Sequence, residues 1–235
     1  MAGRGGWSWP DWWSKEQGMA PLRALTTLTA LGGEVAQSGP GQMFFAHLLL
    51  PHFPYVFDAK CKVRKPAEWE PAFDAEPLPS NTMESRERRY ALYLEQMQCL
   101  YRKLGDIFEE WKRAGIFDRL RIIIHGDHGS RIYLHAPTAG NRNELRVSDY
   151  ADAFSTLLAV KASGHEPGYD RRWISIHDLL PQLAIPGRAR PMAQEAAARL
   201  ASSDQLPYVY LEQDDSPRMI KQPLPRFGDP GRAVN

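Results

Sequence analysis

Seven histidines occur in this chain of 235 residues, and three clusters of them have neighbours suited to chemistry. The sharpest is Gly126-Asp127-His128-Gly129, one residue past the apolar run Ile122-Ile123-Ile124. A carboxylate and an imidazole side by side at a strand end, flanked by glycines that let the backbone turn tightly, can face one divalent ion. Oxygen donors suit Ca²⁺ or Mg²⁺, and a mixed nitrogen and oxygen pair suits Zn²⁺ or Mn²⁺. The second cluster is His47-Leu48-Leu49-Leu50-Pro51-His52, and the third is His135 in Tyr133-Leu134-His135-Ala136-Pro137. All three clusters sit where an α/β sheet places its active site, at the carboxyl ends of strands. Asp beside Gly is also common in plain turns, so Asp127-His128 gains its weight from the other two clusters. Of the remaining histidines, His125 is expected to pack in the core, His177 to cap a helix or face solvent, and His165 to lie exposed in a Gly-Pro loop.

These residues need a scaffold that brings them to one edge. Met43 to Leu50 is short and apolar on both faces, as expected of a strand buried in a parallel sheet. Six prolines between Pro51 and Pro79 forbid a long regular element and make residues 51–81 a loop. Ser80 or Asn81 then caps a helix running to about Arg113. Its apolar stripe is Tyr90, Leu94, Met97, Tyr101, Leu104, Phe108 and Trp111. Gly115 closes the helix, and Leu120 to Ile124 reads as a second buried strand. Strand, helix, strand is a right-handed βαβ crossover, which predicts a three-layer α/β sandwich with a mainly parallel central sheet. Parallel neighbours end on the same edge, so His47, His52, Asp127, His128 and His135 should share one pocket. Phe154 to Val160 is a third strand candidate and Ile176 to Leu183 a short helix. Upstream, Leu22, Leu25, Leu28 and Leu31 mark a helix ended by Gly32-Gly33. Residues 1–41 form a leader and N-terminal helix, and 42–187 the α/β domain. Residues 188–235 form a peripheral, partly disordered tail with an Ala-rich helix at 192–200.

Bulk properties exclude some partners. With 29 basic and 28 acidic residues the net charge is +1, so no global field favours nucleic acid or an anionic membrane. The longest apolar run falls short of the ~20 residues a bilayer span needs, so no transmembrane segment is expected. No apolar stretch follows Arg4, so no signal peptide is read. Trp7, Trp9, Trp12 and Trp13 crowd the leader, where they pack on the domain or rest at a membrane interface. The two cysteines, Cys61 and Cys99, permit one disulfide, but two reduced thiols are the default and no compartment follows.

Phe44-Phe45-Ala46-His47-Leu48-Leu49-Leu50-Pro51-His52-Phe53-Pro54-Tyr55, the long helix, and Ile123-Ile124-His125-Gly126-Asp127-His128-Gly129 together resemble the second half of sulfatase-like domains of the alkaline phosphatase superfamily. The likeness spans about residues 42–187. It implies an alkaline-phosphatase-like fold, incomplete at the N-terminus, and metal-dependent hydrolysis or transfer at a sulfate or phosphate ester. The resemblance gives Asp127 and His128 to a divalent metal ion (Ca, Zn, Mn or Mg). It gives His47 and His52 to the substrate's sulfate or phosphate group or to a second metal. His135 is similar to a substrate-side histidine of the phosphoethanolamine transferase branch. The substrate implied is a small-molecule, lipid or glycan ester, and such domains usually work in the periplasm or outside the cell. One departure matters: neither Cys61-Lys62-Val63-Arg64 nor Cys99-Leu100-Tyr101-Arg102 matches the Cys-x-Pro-Ser-Arg nucleophile turn. Thr26, Thr27 and Thr29 lie in a helix. The expectation is therefore a form lacking the nucleophile, with an inactive fragment or an interaction module as the alternative.

Overall fold

The computed structural model describes residues 11–69, 81–162, 167–169, 208–213 and 216–223. The expected helices at 176–183 and 192–200, together with Trp7, Trp9, Ser80, His165 and His177, lie outside them. The chain divides into two compact units, Met1–Ala136 with Ala151–Ser163, and Pro137–Tyr150 with Gly164–Asn235.

The first unit is built on two long helices, α1 (Asp11–Gln37) and α2 (Met83–Arg113). In α1, Pro21, Ala24, Leu28, Gly32 and Val35 are buried at steps of three and four, which makes one packed stripe. Gly32 does not end this helix. A Cβ there would stand 3.0 Å from Ile107 Cγ1, and the Gly32 carbonyl accepts a hydrogen bond from Trp111 Nε1 at 2.9 Å. The glycine is a contact point where α2 comes close, and the helix continues five residues further, to Gln37. Leu28, Val35, Ile107 and Trp111 form one core cluster, and Ala24, Leu50, Val56, Phe57 and Cys99 form a second.

The long helix α2 stands where its periodicity predicted, but its cap and phase differ. Thr82 is the N-cap, its hydroxyl accepting from Ser85 N at 3.2 Å. Asn81 instead donates from Nδ2 to Leu134 O at 2.8 Å. Leu94 and Tyr101, placed on the buried stripe from sequence, are 54% and 49% exposed, whereas Arg89 and Gln96 are buried. The buried face is rotated because it carries polar side chains that bond to loops.

The sheet departs most from expectation. Met43–Leu50 has no regular secondary structure. Met43 is 83% and Phe45 85% exposed, and within the run only Leu50 is buried. An apolar run becomes a buried strand only where neighbours satisfy its backbone on both sides, and among the described residues none pairs with it. The strand after α2, β1 (Ile122–His125), pairs instead with β2 (Leu158–Lys161). The pairing is antiparallel, with Ile122 opposite Lys161 and His125 opposite Leu158. A short helix not read from sequence, α3 (Val147–Phe154), precedes β2 and takes Phe154 out of the expected strand. The architecture thus mixes helices with small antiparallel sheets, and the βαβ crossover is not formed among the described residues. No described helix is long and apolar enough to cross a membrane.

In the second unit, β3 (Tyr208–Gln213) and β4 (Ser216–Pro223) form an antiparallel hairpin in the stretch expected to be a partly disordered tail. Leu211 on β3 is fully buried. Burial pushes the Tyr150 hydroxyl above its ordinary pKa, against a hydrogen bond from Gln222 that lowers it.

Candidate functional site

β1 ends at His125, and the next residues turn against the end of α3 and the segment that follows it. Gly126 N donates to Leu157 O at 3.0 Å, Gly129 N to Ala153 O at 3.0 Å, and Arg131 N to Asp152 O at 2.9 Å. Neither motif glycine has a positive φ. Both are demanded by space: a Cβ on Gly129 would stand 2.1 Å from Asp152 O, and one on Gly126 would stand 2.1 Å from Thr156 Oγ1. The Gly-x-x-Gly spacing therefore presses the Asp127-His128 turn onto its support and leaves both side chains on the outer side.

Asp127 has its side chain 71% exposed and His128 28%, with Oδ2 and Nε2 3.7 Å apart. Two donors about 2.1 Å from a shared ion at a tetrahedral angle stand roughly 3.4 Å apart, so the pair fits two adjacent positions of a divalent metal. His128 Nδ1 lies 2.7 Å from Gly129 O. That carbonyl holds the proton on Nδ1 and leaves the Nε2 lone pair facing Asp127. Burial acts to raise the Asp127 pKa but is outweighed by its own backbone N–H, His128 and the nearby His47, which hold the carboxyl below the usual range. Asp127 is thus an anion at neutral pH, as a metal donor must be. Among the described residues, no group of three or more His, Cys, Asp and Glu stands together as a metal cage.

His52 approaches from a different part of the chain. Its ring centroid is 6.4 Å from that of His128 and 4.0 Å from that of Phe53. Nδ1 is 2.7 Å from Phe53 O, which again turns the free Nε2 outward. Burial pushes the His52 pKa down, helped by His128 and Arg131 and opposed by the Phe53 carbonyl and Asp127. A neutral imidazole results, able to accept a proton.

The segment carrying His52 is fixed by one side chain of α2. Gln96 Oε1 accepts from Val56 N at 2.8 Å and Phe57 N at 3.2 Å, while Nε2 donates to Pro51 O at 3.2 Å and His52 O at 2.9 Å. One helical turn on, Cys99 forms a disulfide with Cys61, correcting the expectation of two reduced thiols. One residue before Gln96, Glu95 pairs with Arg64. Three neighbouring positions of α2 therefore clamp residues 51–64.

The site residues expected from sequence divide as follows. His52 and His128 approach each other, their ring centroids 6.4 Å apart, and the exposed His47 is among the groups whose charge acts on Asp127. His135 sits on a segment tied to α2: Arg86 Nε donates to Ile132 O at 2.9 Å and Asn81 Nδ2 to Leu134 O at 2.8 Å. His125 is exposed rather than packed in the core. Sequence reasoning missed Arg131, Gln96, and the Arg86–Asp152–Ser130 cluster beneath the turn. The one signal available was the run of polar residues, Arg86, Arg89 and Gln96, on one face of a helix otherwise read as apolar there.

Cys61 and Cys99 are bonded to each other, and the Thr26 and Thr29 hydroxyls donate to Leu22 O and Leu25 O within α1. The thiols and hydroxyls weighed from sequence as nucleophiles are, at these four positions, engaged elsewhere.

Comparison with known proteins gives one distant likeness. The chain is 27% identical over 146 residues to lipoteichoic acid synthase 1 of Bacillus subtilis (strain 168). The match covers 60% of this chain and spans only 20% of the synthase's length. It supports a relation at the level of the alkaline phosphatase and sulfatase superfamily, whose members transfer or hydrolyse phosphate and related esters. No protein-family profile matches the chain, and no solved structure matches it significantly.

Proposed function

We propose that this chain carries part of the active site of a metal-dependent transferase or hydrolase acting on phosphate or sulfate esters. The observation that supports this reading is the approach of the His52 ring to that of His128, from segments some 75 residues apart in sequence. In this reading Asp127 and His128 would hold a divalent metal ion. A bound metal would act as a Lewis acid on the ester oxygens. His52, neutral and presenting Nε2, accepts or returns a proton at the reacting oxygen. His47 and His135 stabilise charge on the substrate. The mixture of helices with small sheets and the distant likeness support an alkaline-phosphatase-like fold for this reading.

The engaged state of Cys61, Cys99, Thr26 and Thr29 supports a nucleophile drawn from residues other than these. The alternative, an inactive or interaction module, is favoured by the lack of a three-donor cage among the described residues. The two are separated by adding Mn²⁺ and a soluble phosphodiester to the protein and following the ester's phosphorus resonance. Paramagnetic broadening that disappears in Asp127→Ala supports an ester site at the metal. No broadening in the unaltered protein contradicts it.

A further inference from the structure

Arg131 has a left-handed backbone, with φ at +57°, on the loop that follows the Asp127-His128 turn. Residues other than glycine take this conformation reluctantly, because Cβ crowds the backbone. Only one other described non-glycine residue shares it: Cys61, φ +62°. There the cause is visible. Cys61 closes the Asp58–Lys62 turn, its N–H donating to Asp58 O at 2.9 Å, and its sulfur is bonded to Cys99.

Arg131 has no such account. Its N–H donates to Asp152 O at 2.9 Å, which explains what holds the loop. A glycine would make the same bond without strain. The side chain is exposed, and among the described residues it forms no hydrogen bond or ion pair. Its neighbour Ser130, by contrast, is committed, donating to Asp152 Oδ1 at 3.0 Å. Strain that stability does not explain, kept beside a candidate site, points to use of the side chain.

We propose that Arg131 is the anion-binding residue of this site, its guanidinium holding the non-bridging oxygens of the phosphoryl group that the neighbouring His52 and Asp127-His128 address. The planar fork of arginine matches a pair of such oxygens, and an unpartnered one loses no existing bond on binding. Arg131 follows His128 by three positions on the same loop, and its positive charge is among the influences that lower the His52 pKa. The inference takes its ligand chemistry from the ester reading above, but its geometry stands apart from any metal.

The test uses Arg131→Gly and Arg131→Lys in the full chain, with inorganic phosphate as probe, titrated calorimetrically in metal-free buffer. Glycine removes the guanidinium and relieves the backbone, so R131G should melt at the same temperature or higher while phosphate affinity falls about tenfold or more. Arg131→Lys keeps the charge without the fork and should fall between. A parallel Mn²⁺ titration should give the same affinity in all three proteins. Phosphate affinity unchanged in R131G overturns the proposal, as does a wild-type chain that binds no phosphate at millimolar concentration. A lower melting temperature together with weaker binding in R131G also overturns it, because the role would then be structural. A wild-type chain that binds phosphate through Arg131 but takes up no Mn²⁺ would remove the metal reading and leave the anion site standing.

Discussion

Arg86 Nη2 stands 2.6 Å from Asp152 Oδ2 beneath the Asp127-His128 turn, both side chains nearly sealed from water. Even so, burial pushes the Asp152 carboxyl above its ordinary pKa, against the opposing pull of Arg86 and Arg89. Desolvation outweighs the ion pair here, as it often does for buried charges. The pair acts as a positioning device: Asp152 Oδ1 takes Ser130, its carbonyl takes Arg131 N, and Arg86 Nε holds Ile132 O.

Removing one partner should therefore cost more than the pair contributes. Arg86→Met leaves Asp152 buried without its nearest cation, at a cost of about 3–5 kcal/mol near neutral pH. A folded-state pKa above the unfolded value means that the associated stability is present below the unfolded value and lost as pH rises through the folded one. Without Arg86 the folded value rises further, so the deficit of the variant should widen from pH 4 to pH 7. Denaturant unfolding at the two pH values measures it, and an equal deficit at both contradicts the account.

The two motif glycines should respond differently to the same added methyl group. Gly129→Ala sets Cβ against the Asp152 backbone carbonyl at 2.1 Å, which only a loop shift can relieve. Gly126→Ala meets the Thr156 hydroxyl, a side chain, at the same distance. We expect Gly129→Ala to lose about 3 kcal/mol or more, the upper end of overpacking costs, and Gly126→Ala less. Adding Thr156→Ala should recover stability for Gly126→Ala and not for Gly129→Ala. Recovery in both would show that the support is not built as described.

The Cys61–Cys99 disulfide closes a loop across 38 positions. A cross-link of that span stabilises by about 3–4 kcal/mol through the unfolded chain. Cys61→Ser, or unfolding under a strong reductant, should lower stability by that order and loosen residues 51–64. Denaturation curves unchanged by reductant would mean that the bond is not formed.

The strong helical periodicity of residues 83–113 made α2 legible, because a long stripe repeats its signal many times. Its phase was not, since Gln96 is buried by hydrogen bonds to residues 51–57 and Arg89 is buried beside a bond to Asn81 ahead of the helix, which no periodicity records. Met43–Leu50 misled for a related reason: an apolar run carries no information about whether neighbours exist to pair with it. The antiparallel pairing of β1 with β2 depends on α3, whose eight residues are too few for a clear pattern. Within the candidate site, the approach of His52 to His128 agrees with what residue type and spacing suggested. Gln96, Asp152 and Arg131 were not legible, because they act through backbone groups and conformation. The glycines of Gly-Asp-His-Gly were found for a wrong reason, tight turning, when the cause is close approach.

The central claim is that Asp127 and His128 form a metal-binding pair, and the most direct measurement is a Mn²⁺ titration followed by the loss of the free-ion electron paramagnetic signal. Two protein donors should hold one ion per chain weakly, with a dissociation constant on the order of tens to hundreds of micromolar, equivalent to about 5–6 kcal/mol. Asp127→Ala and His128→Ala should each abolish that binding. His125→Gln, two residues away and exposed, should leave it unchanged. Binding that persists in Asp127→Ala, or that depends on His125 instead, would contradict the account.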